Sequence, residues 1–158
     1  MAAKTPALVA LAKAGVAHSV HDFGHDGTDR NYGKAAAAAL GVDEARVFKT
    51  LLVIADGRPA VGIVPVAGQL SLKGVAAALG AKKAEMCDPA VAQRLTGYVV
   101  GGISPFGQRK QLPTVLDETA TAFETIFVSG GRRGLDVELA PADLVRVLDA
   151  TVAPIAAL

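Results

Sequence analysis

The spacing of apolar residues along the chain predicts several short amphipathic helices. The first is expected over residues 6–14, where Thr5 and Pro6 form an N-cap and first-turn pair and Gly15 ends the apolar stripe. Other segments combine helix-forming residues with a capping residue, a proline at the start or a glycine at the end. They predict helices at residues 34–40, 72–79, 89–95 and 141–148.

The strongest strand signal is a hairpin in the first half of the chain. Residues 47–55 are apolar and β-branched, Asp56-Gly57 is a typical hairpin turn, and residues 60–64 form the returning strand. Because further strands alternate with helices and loops, the order favours an α+β fold with a mixed sheet over a doubly wound parallel sheet. These further strands are predicted at residues 18–23, 98–100, 112–116, 125–128 and 135–139.

Length, composition and charge narrow the class of protein. A chain of 158 residues, 51% of them hydrophobic, predicts one domain over residues 1–158 and excludes a disordered chain. The formal net charge is +1, so the composition predicts no strong general attraction to nucleic acid or to an anionic membrane. Any contact with RNA is therefore expected to be local.

The single cysteine, Cys87, cannot form an internal disulfide, and no charged start leads into an apolar signal segment. We therefore expect a cytoplasmic protein. The longest apolar stretch, residues 47–66, is interrupted by charged residues and prolines, so no membrane span is predicted.

Common catalytic motifs are missing from the glycine-rich and serine-containing segments. The glycines match neither of the two phosphate-binding loop patterns, so no nucleotide cofactor is expected. Ser104 stands in a sequence that begins like a nucleophile elbow. However, Phe106 replaces the glycine needed for close packing, and Pro105 lacks an N–H for the oxyanion.

The histidines and the cysteine give only weak signals. His18, His21 and His25 have metal-ligand spacing only on a helix, and on a strand they are ordinary polar residues, so no metal is predicted. Cys87 precedes a helix N-terminus that could lower its pKa, although a small, half-buried side chain is the favoured interpretation.

Three other segments carry candidate chemistry. Lys49 shares a strand face with apolar residues, so either this face opens into a cleft or the lysine is an exposed charge at the strand start. Residues 101–105 could direct backbone N–H groups at a carbonyl oxygen, or form a tight turn. Residues 129–136 combine glycines, two arginines and one carboxylate, which could bind an anion or form a solvated turn.

Taken together and in order, these segments resemble the bacterial YbaK/EbsC family, and most closely its free-standing branch of Cys-tRNA(Pro) deacylases. The resemblance covers nearly the whole chain. It is carried by FKTLLV at 48–53, PVAGQL at 65–70, GAKKAEM at 80–86, TGY at 96–98, VGGISP at 100–105, VSGG at 128–131 and RGLD at 133–136.

The resemblance implies a hydrolase that removes cysteine mischarged onto tRNA(Pro), on a compact domain with a curved, barrel-like sheet. The family's essential lysine falls on Lys49, and its G-x-x-x-P loop falls on residues 101–105. Many relatives carry tyrosine where this chain has Phe23, so only an apolar wall is expected at that position.

On this basis, the predicted catalytic residues are Lys49, Gly101 and Gly102. The predicted substrate-binding residues are Phe23, Thr50, Ile103, Ser104, Pro105, Ser129, Gly130 and Asp136. No cofactor is expected. Because no activated side-chain nucleophile is recognisable, the attacking group is water or, preferably, the thiol of the substrate's own cysteine.

The expected partner is the acceptor end of tRNA(Pro), with prolyl-tRNA synthetase as a second candidate partner and no role for DNA or a membrane. Two alternatives remain open at this point. The chain could be a non-catalytic module that binds the tRNA end beside the synthetase, or a deacylase for another small amino acid such as alanine.

Overall fold

The structure, a computed structural model, describes residues 4–24 and 32–157. Its helices are α1 (Pro6–Ala14), α2 (Tyr32–Leu40), α3 (Leu72–Leu79), α4 (Pro89–Thr96) and α5 (Pro141–Leu148). Its strands are β1 (Ser19–Asp22), β2 (Phe48–Ala55), β3 (Arg58–Pro65), β4 (Gln69–Leu70), β5 (Ala84–Met86), β6 (Thr114–Asp117), β7 (Ile126–Arg132), β8 (Leu135–Leu139), β9 (Thr151–Ala153) and β10 (Ala156–Ala157).

Local capping explains where several helices begin and end. The Thr5 and Ser71 hydroxyls accept hydrogen bonds from the first turns of α1 and α3. Gly15 and Gly80 follow these two helices in the left-handed conformation, which glycine adopts without steric cost. All five predicted helices are confirmed, with α2 beginning two residues early.

The β2–β3 hairpin lies at the centre of a five-stranded sheet with the order β5-β2-β3-β6-β9. The pairs β5–β2 and β2–β3 are antiparallel, whereas β3–β6 and β6–β9 are parallel. A second sheet, β1-β8-β7, is antiparallel throughout, and β4 pairs with β10. The predicted α+β fold with a mixed sheet is therefore confirmed, although no ladder among the described residues closes a barrel.

The two larger sheets come together at one end of β2. A parallel bridge joins Val47 to Phe127 of β7, and β5 joins the same edge of β2 only at Val53–Ala55. Between these two points, no strand among the described residues pairs with the edge of β2. This gap positions the candidate site.

One predicted strand is wrong. Residues 98–100 form a turn that follows α4, although the segment is apolar. Tyr98 is buried because its hydroxyl donates to the Phe106 carbonyl at 2.6 Å and its ring joins the main core. Burial of a loop side chain therefore accounts for Tyr98 in the apolar pattern, whereas Val99 is 58% exposed. The short strands β4, β5, β9 and β10 were not predicted. Among the described helices, none has the length and apolar character to cross a membrane.

Candidate functional site

A cleft of about 770 Å³ opens where β2 separates from β7. Its walls come from the β2 edge, α2, the start of α4, the turn after α4 and the β7–β8 hairpin. Seven of the residues predicted from the sequence line this cleft: Phe23, Lys49, Thr50, Gly101, Ile103, Ser129 and Asp136. Four others lie outside its lining: Gly102, Ser104, Pro105 and Gly130.

Lys49 places a half-buried ammonium group in the cleft. Burial, together with the positive charge of Lys34, lowers the pKa of Lys49 from its usual value. Within the described ranges, no carboxylate lies within 4.0 Å of Lys49. The ammonium group is therefore available to a ligand, and the alternative of a simple exposed charge does not apply.

The unpaired edge of β2 adds polar groups at Thr50. The Val47 carbonyl accepts from Val66 next to β3, and the Leu52 carbonyl accepts from the Cys87 N–H on the opposite edge. Because main-chain directions alternate along an antiparallel strand, the Thr50 N–H and C=O point to the same side as those of Leu52. The Thr50 hydroxyl is also buried without a partner among the described residues.

Asp136 supplies a buried carboxyl group from β8. Asp136 is 7% exposed and pairs with Ser129 across the β7–β8 ladder. No hydrogen bond or ion pair to its carboxylate occurs in the described part of the chain. Burial raises the pKa of Asp136 to about 7. A cationic group that entered the cleft would therefore find an unpaired carboxyl partner.

The turn after α4 presents main-chain N–H groups. Gly101 has φ 90°, in the left-handed region. The Gly102 N–H donates to the Val99 carbonyl at 2.8 Å and is therefore occupied, whereas the N–H groups of Gly101 and Ile103 have no acceptor among residues 4–24 and 32–157. These two groups can receive an oxyanion. Gly102 has a packing role, because a Cβ there would lie 2.8 Å from the Arg132 backbone.

The side chains with nucleophilic potential are not activated. Ser104 is fully buried, and its hydroxyl accepts from the Phe106 N–H. Ser129 accepts from the Gly131 N–H at 3.1 Å. Cys87 lines the cleft, but burial and the nearby Asp88 carboxylate raise its pKa, which agrees with the favoured interpretation of a small, unreactive side chain.

The histidines have ordinary structural partners. His18 contacts the Val16 carbonyl at 2.8 Å, His21 contacts Glu138 at 3.0 Å, and His25 lies outside the described residues. Among the described side chains, no group of three His, Cys, Asp or Glu residues could hold a metal ion.

A second polar group lies on the same face of β8 as Asp136, and sequence reasoning missed it. We call it the outer cluster, and it consists of His21, Arg46, Thr125 and Glu138. The Glu138 carboxylate accepts from Thr125, His21 and Arg46, while Arg46 also lies over the Phe127 ring at 5.1 Å. The alternation of β8 predicts the shared face, but its partners come from distant segments.

Comparisons with known proteins agree with this architecture. The family model of the aminoacyl-tRNA editing domain matches residues 30–147. EbsC of Enterococcus faecalis, named as a proposed Cys-tRNA(Pro)/Cys-tRNA(Cys) deacylase, is 35% identical over 153 residues, which cover 96% of this chain and 93% of EbsC. A proline–tRNA ligase of Geobacter metallireducens is 30% identical over 96 residues, which cover 61% of this chain and 16% of the ligase.

A solved structure shares the whole fold. It is described as a proposed trans-editing enzyme for prolyl-tRNA synthetase, and it superposes with a TM-score of 0.86 at 22% identity. The match covers 99% of this chain and 100% of that chain.

Proposed function

The chain belongs to the aminoacyl-tRNA editing domain family, whose activity is deacylation of aminoacyl-tRNA, and within that activity we propose that it acts in trans on Cys-tRNA(Pro) in the cytoplasm. The resemblance seen in the sequence is thereby confirmed at the level of the family. The similarity to EbsC, over nearly the full length of both proteins, supports the choice of substrate.

One observation carries the proposal. The cleft brings together an ammonium group, a buried carboxyl group and two N–H groups, from Lys49, Asp136, Gly101 and Ile103, and none of them has a hydrogen-bond or ion-pair partner within residues 4–24 and 32–157. No activated protein nucleophile accompanies them in the described part of the chain. This set suits an ester that is already labile and needs mainly positioning and charge stabilisation.

Each group has a specific role in the proposed reaction. Lys49 neutralises the terminal phosphate or polarises the ester carbonyl. The Gly101 and Ile103 N–H groups bind the oxyanion, so the role predicted for Gly102 becomes that of a packing residue. Asp136 binds the α-ammonium group of the substrate, because an unpaired buried carboxylate gains most from a cationic partner.

The proposed nucleophile is the thiol of the substrate's cysteine. Its sulfur forms a bond to the ester carbonyl carbon while the bond from this carbon to the ribose oxygen breaks. The proton lost by the thiol is delivered to the ribose oxygen, which leaves as a hydroxyl group of the tRNA. The released cysteine thiolactone then reacts with water to give free cysteine. This chemistry selects cysteine without a protein nucleophile.

Editing of this kind is needed because size alone separates cysteine from proline poorly. Cysteine and proline have similar volumes, and an apolar pocket separates such close analogues by only about 1 to 3 kcal/mol. A net charge of +1 favours few contacts with the tRNA body. We therefore propose that prolyl-tRNA synthetase presents the tRNA, a role that fits the similarity to part of proline–tRNA ligases.

The test is multiple-turnover deacylation of Cys-, Ala- and Pro-tRNA(Pro) by the purified chain. We expect turnover of Cys-tRNA(Pro) and no loss of Ala or Pro beyond the uncatalysed rate, because neither amino acid carries a thiol. Binding without turnover would identify a non-catalytic module, and a preference for Ala-tRNA(Pro) would identify an alanine deacylase. Either result would contradict the proposal.

A further inference from the structure

The turn that carries Gly101 belongs to no helix or strand, yet one of its peptide groups is held by hydrogen bonds. The Val100 carbonyl accepts two hydrogen bonds from the Arg133 guanidinium, from Nε at 2.9 Å and from Nη2 at 2.7 Å. Arg133 lies in the β7–β8 hairpin, between Ser129 and Asp136. It therefore ties together two walls of the cleft.

Two further contacts hold the same turn. The side-chain oxygen of Gln93, on α4, accepts from the Val100 N–H at 2.9 Å. Gly102 packs so closely on the hairpin that an added Cβ would lie 2.8 Å from the backbone nitrogen of Arg133. The turn is thus clamped between α4 and the hairpin.

The geometry of the peptide bond connects this clamp to the chemistry. The Val100 carbonyl and the Gly101 N–H belong to the same peptide group, and the described chain has no cis peptide bonds. In a planar trans peptide the C=O and N–H point in opposite directions. A guanidinium bound to the Val100 oxygen therefore directs the Gly101 N–H away from Arg133.

From this arrangement we propose that Arg133 is a positioning residue for deacylation, which orients and polarises the Gly101 N–H that binds the oxyanion. The inference rests on the proposed function. A positive charge on the carbonyl side draws electron density from the amide, so the N–H becomes a stronger donor. Because charge develops on the substrate oxygen mainly in the transition state, the contribution appears in kcat more than in KM.

The chain provides a matched control in the neighbouring residue. Arg132 lies in the same hairpin and pairs with Asp22 at 2.7 Å, where both side chains are about half exposed. Its replacement removes the same charge from the same hairpin without touching Val100. A difference in kcat between the Arg133 and Arg132 variants is therefore due to the loss of the hydrogen bonds to Val100 and not to the loss of positive charge from the hairpin.

The experiment measures kcat and KM for Cys-tRNA(Pro) with Arg133→Ala, Arg133→Lys and Arg132→Ala. For Arg133→Ala we expect kcat to fall by about tenfold to hundredfold, with KM within about threefold. This loss is smaller than the loss caused by removing an oxyanion donor, because the Gly101 N–H is still present and is only misdirected. Added guanidinium at non-denaturing concentration should restore part of kcat. Arg133→Lys, which keeps a cation but donates singly, should be intermediate, and Arg132→Ala should match the parent.

The amide resonance of Gly101 provides a readout that needs no turnover. In ¹⁵N-labelled protein we expect this resonance to shift in Arg133→Ala and to stay in place in Arg132→Ala. An unshifted resonance, an unchanged kcat, or a loss confined to KM would overturn the proposal. If Arg133→Ala does not fold, the same criteria apply to Arg133→Lys. A parent protein inactive on Cys-tRNA(Pro) would contradict the proposed function itself, and a shifted resonance would then still support the orientation of the amide.

Discussion

Two carboxylates on β8, two residues apart and on one face, have opposite environments. Glu138 accepts hydrogen bonds from Thr125, His21 and Arg46, and the Thr125 hydroxyl makes the largest contribution to a lowered pKa. Asp136 is 7% exposed and unpaired within the described residues, and burial raises its pKa to about 7. The same strand thus carries one satisfied and one unsatisfied acid.

The basic residues show the same difference. Arg46 donates to the Thr125 carbonyl, the Thr125 hydroxyl and Glu138, whereas Lys49 in the cleft contacts no described carboxylate. Unpaired buried charges cost folding free energy, whereas a partly exposed pair such as Arg46 and Glu138 contributes about 0 to 1 kcal/mol. The outer cluster therefore serves stability. The cleft, in contrast, contains buried charged groups without partners among the described residues, which is typical of functional sites and supports the proposed site.

The largest expected effect is on the deacylation rate, and it comes from Lys49, the basic residue of the cleft. Lys49→Ala should lower the single-turnover rate on Cys-tRNA(Pro) by about 10²- to 10³-fold, because a preorganised cation is lost from the reacting ester. Its melting temperature should stay at or above that of the parent, since the removed charge is partly buried and unpaired. Rate assays and thermal melts on the same samples give both values.

Arg46→Ala is the matched control for Lys49→Ala. It should lower the melting temperature, because four hydrogen bonds are lost, and leave the rate within a few-fold of the parent. The comparison fails if Lys49→Ala is folded and fully active, or if Arg46→Ala keeps its stability and loses its activity.

A smaller effect is expected for Asp136→Asn. Because the pKa of Asp136 is about 7, the parent should gain kcat/KM as the pH rises through 7 and the carboxylate forms. The variant should lack the part of this rise that is due to Asp136 and keep only the part due to ionisation of the substrate thiol. At pH 8 it should lose about tenfold to hundredfold, the usual contribution of a hydrogen bond to a charged group. A pH profile corrected for uncatalysed ester loss measures this. An identical profile for the variant would remove Asp136 from the site.

The smallest effect is on stability, and the two acids should differ in sign. The raised pKa of Asp136 means that the folded state binds more protons than the unfolded state between about pH 4 and 7, so the free energy of unfolding falls as the pH rises through that range. The lowered pKa of Glu138 gives stability that is present above its usual pKa of 4.5 and lost as the pH falls through the folded value.

Thermal melts of Asp136→Asn and Glu138→Gln from pH 4 to 8 test these signs. At pH 8, Asp136→Asn should melt above the parent and Glu138→Gln below it. Both differences in melting temperature from the parent should become smaller as the pH falls towards 4. Shifts of the same sign in the two variants at pH 8 would contradict the distinction between the cleft and the outer cluster.

Local signals explain which parts of the fold could be predicted. The β2–β3 hairpin and the capped helices depend on neighbouring residues such as Asp56-Gly57, Ser71 and Gly80, so the sequence was sufficient. The strand predicted at residues 98–100 failed because Tyr98 is buried through a distant carbonyl. Strands of two or three residues such as β10 exist only through tertiary pairing, which no local pattern records.

For the candidate site, residue identities could be predicted and hydrogen-bond status could not. The family resemblance singled out Lys49, Gly101 and Asp136, and the structure brings them to one cleft. Two features depend on contacts between distant segments: the unpaired Thr50 hydroxyl and the Arg133 clamp on Val100. The occupied Gly102 N–H depends on the turn geometry instead. Such details follow only from the folded chain.

In the proposed reaction, the cleft positions the ester and the substrate supplies the nucleophile. The most direct measurement compares single-turnover deacylation of Cys-tRNA(Pro) and Ser-tRNA(Pro) by Cys87→Ser and the parent. We predict that Cys87→Ser stays within about threefold of the parent and that both proteins cleave the Cys ester at least about tenfold faster, since a thiol is the stronger nucleophile near neutral pH. Equal rates on the two esters, or a folded but inactive Cys87→Ser, would contradict the account.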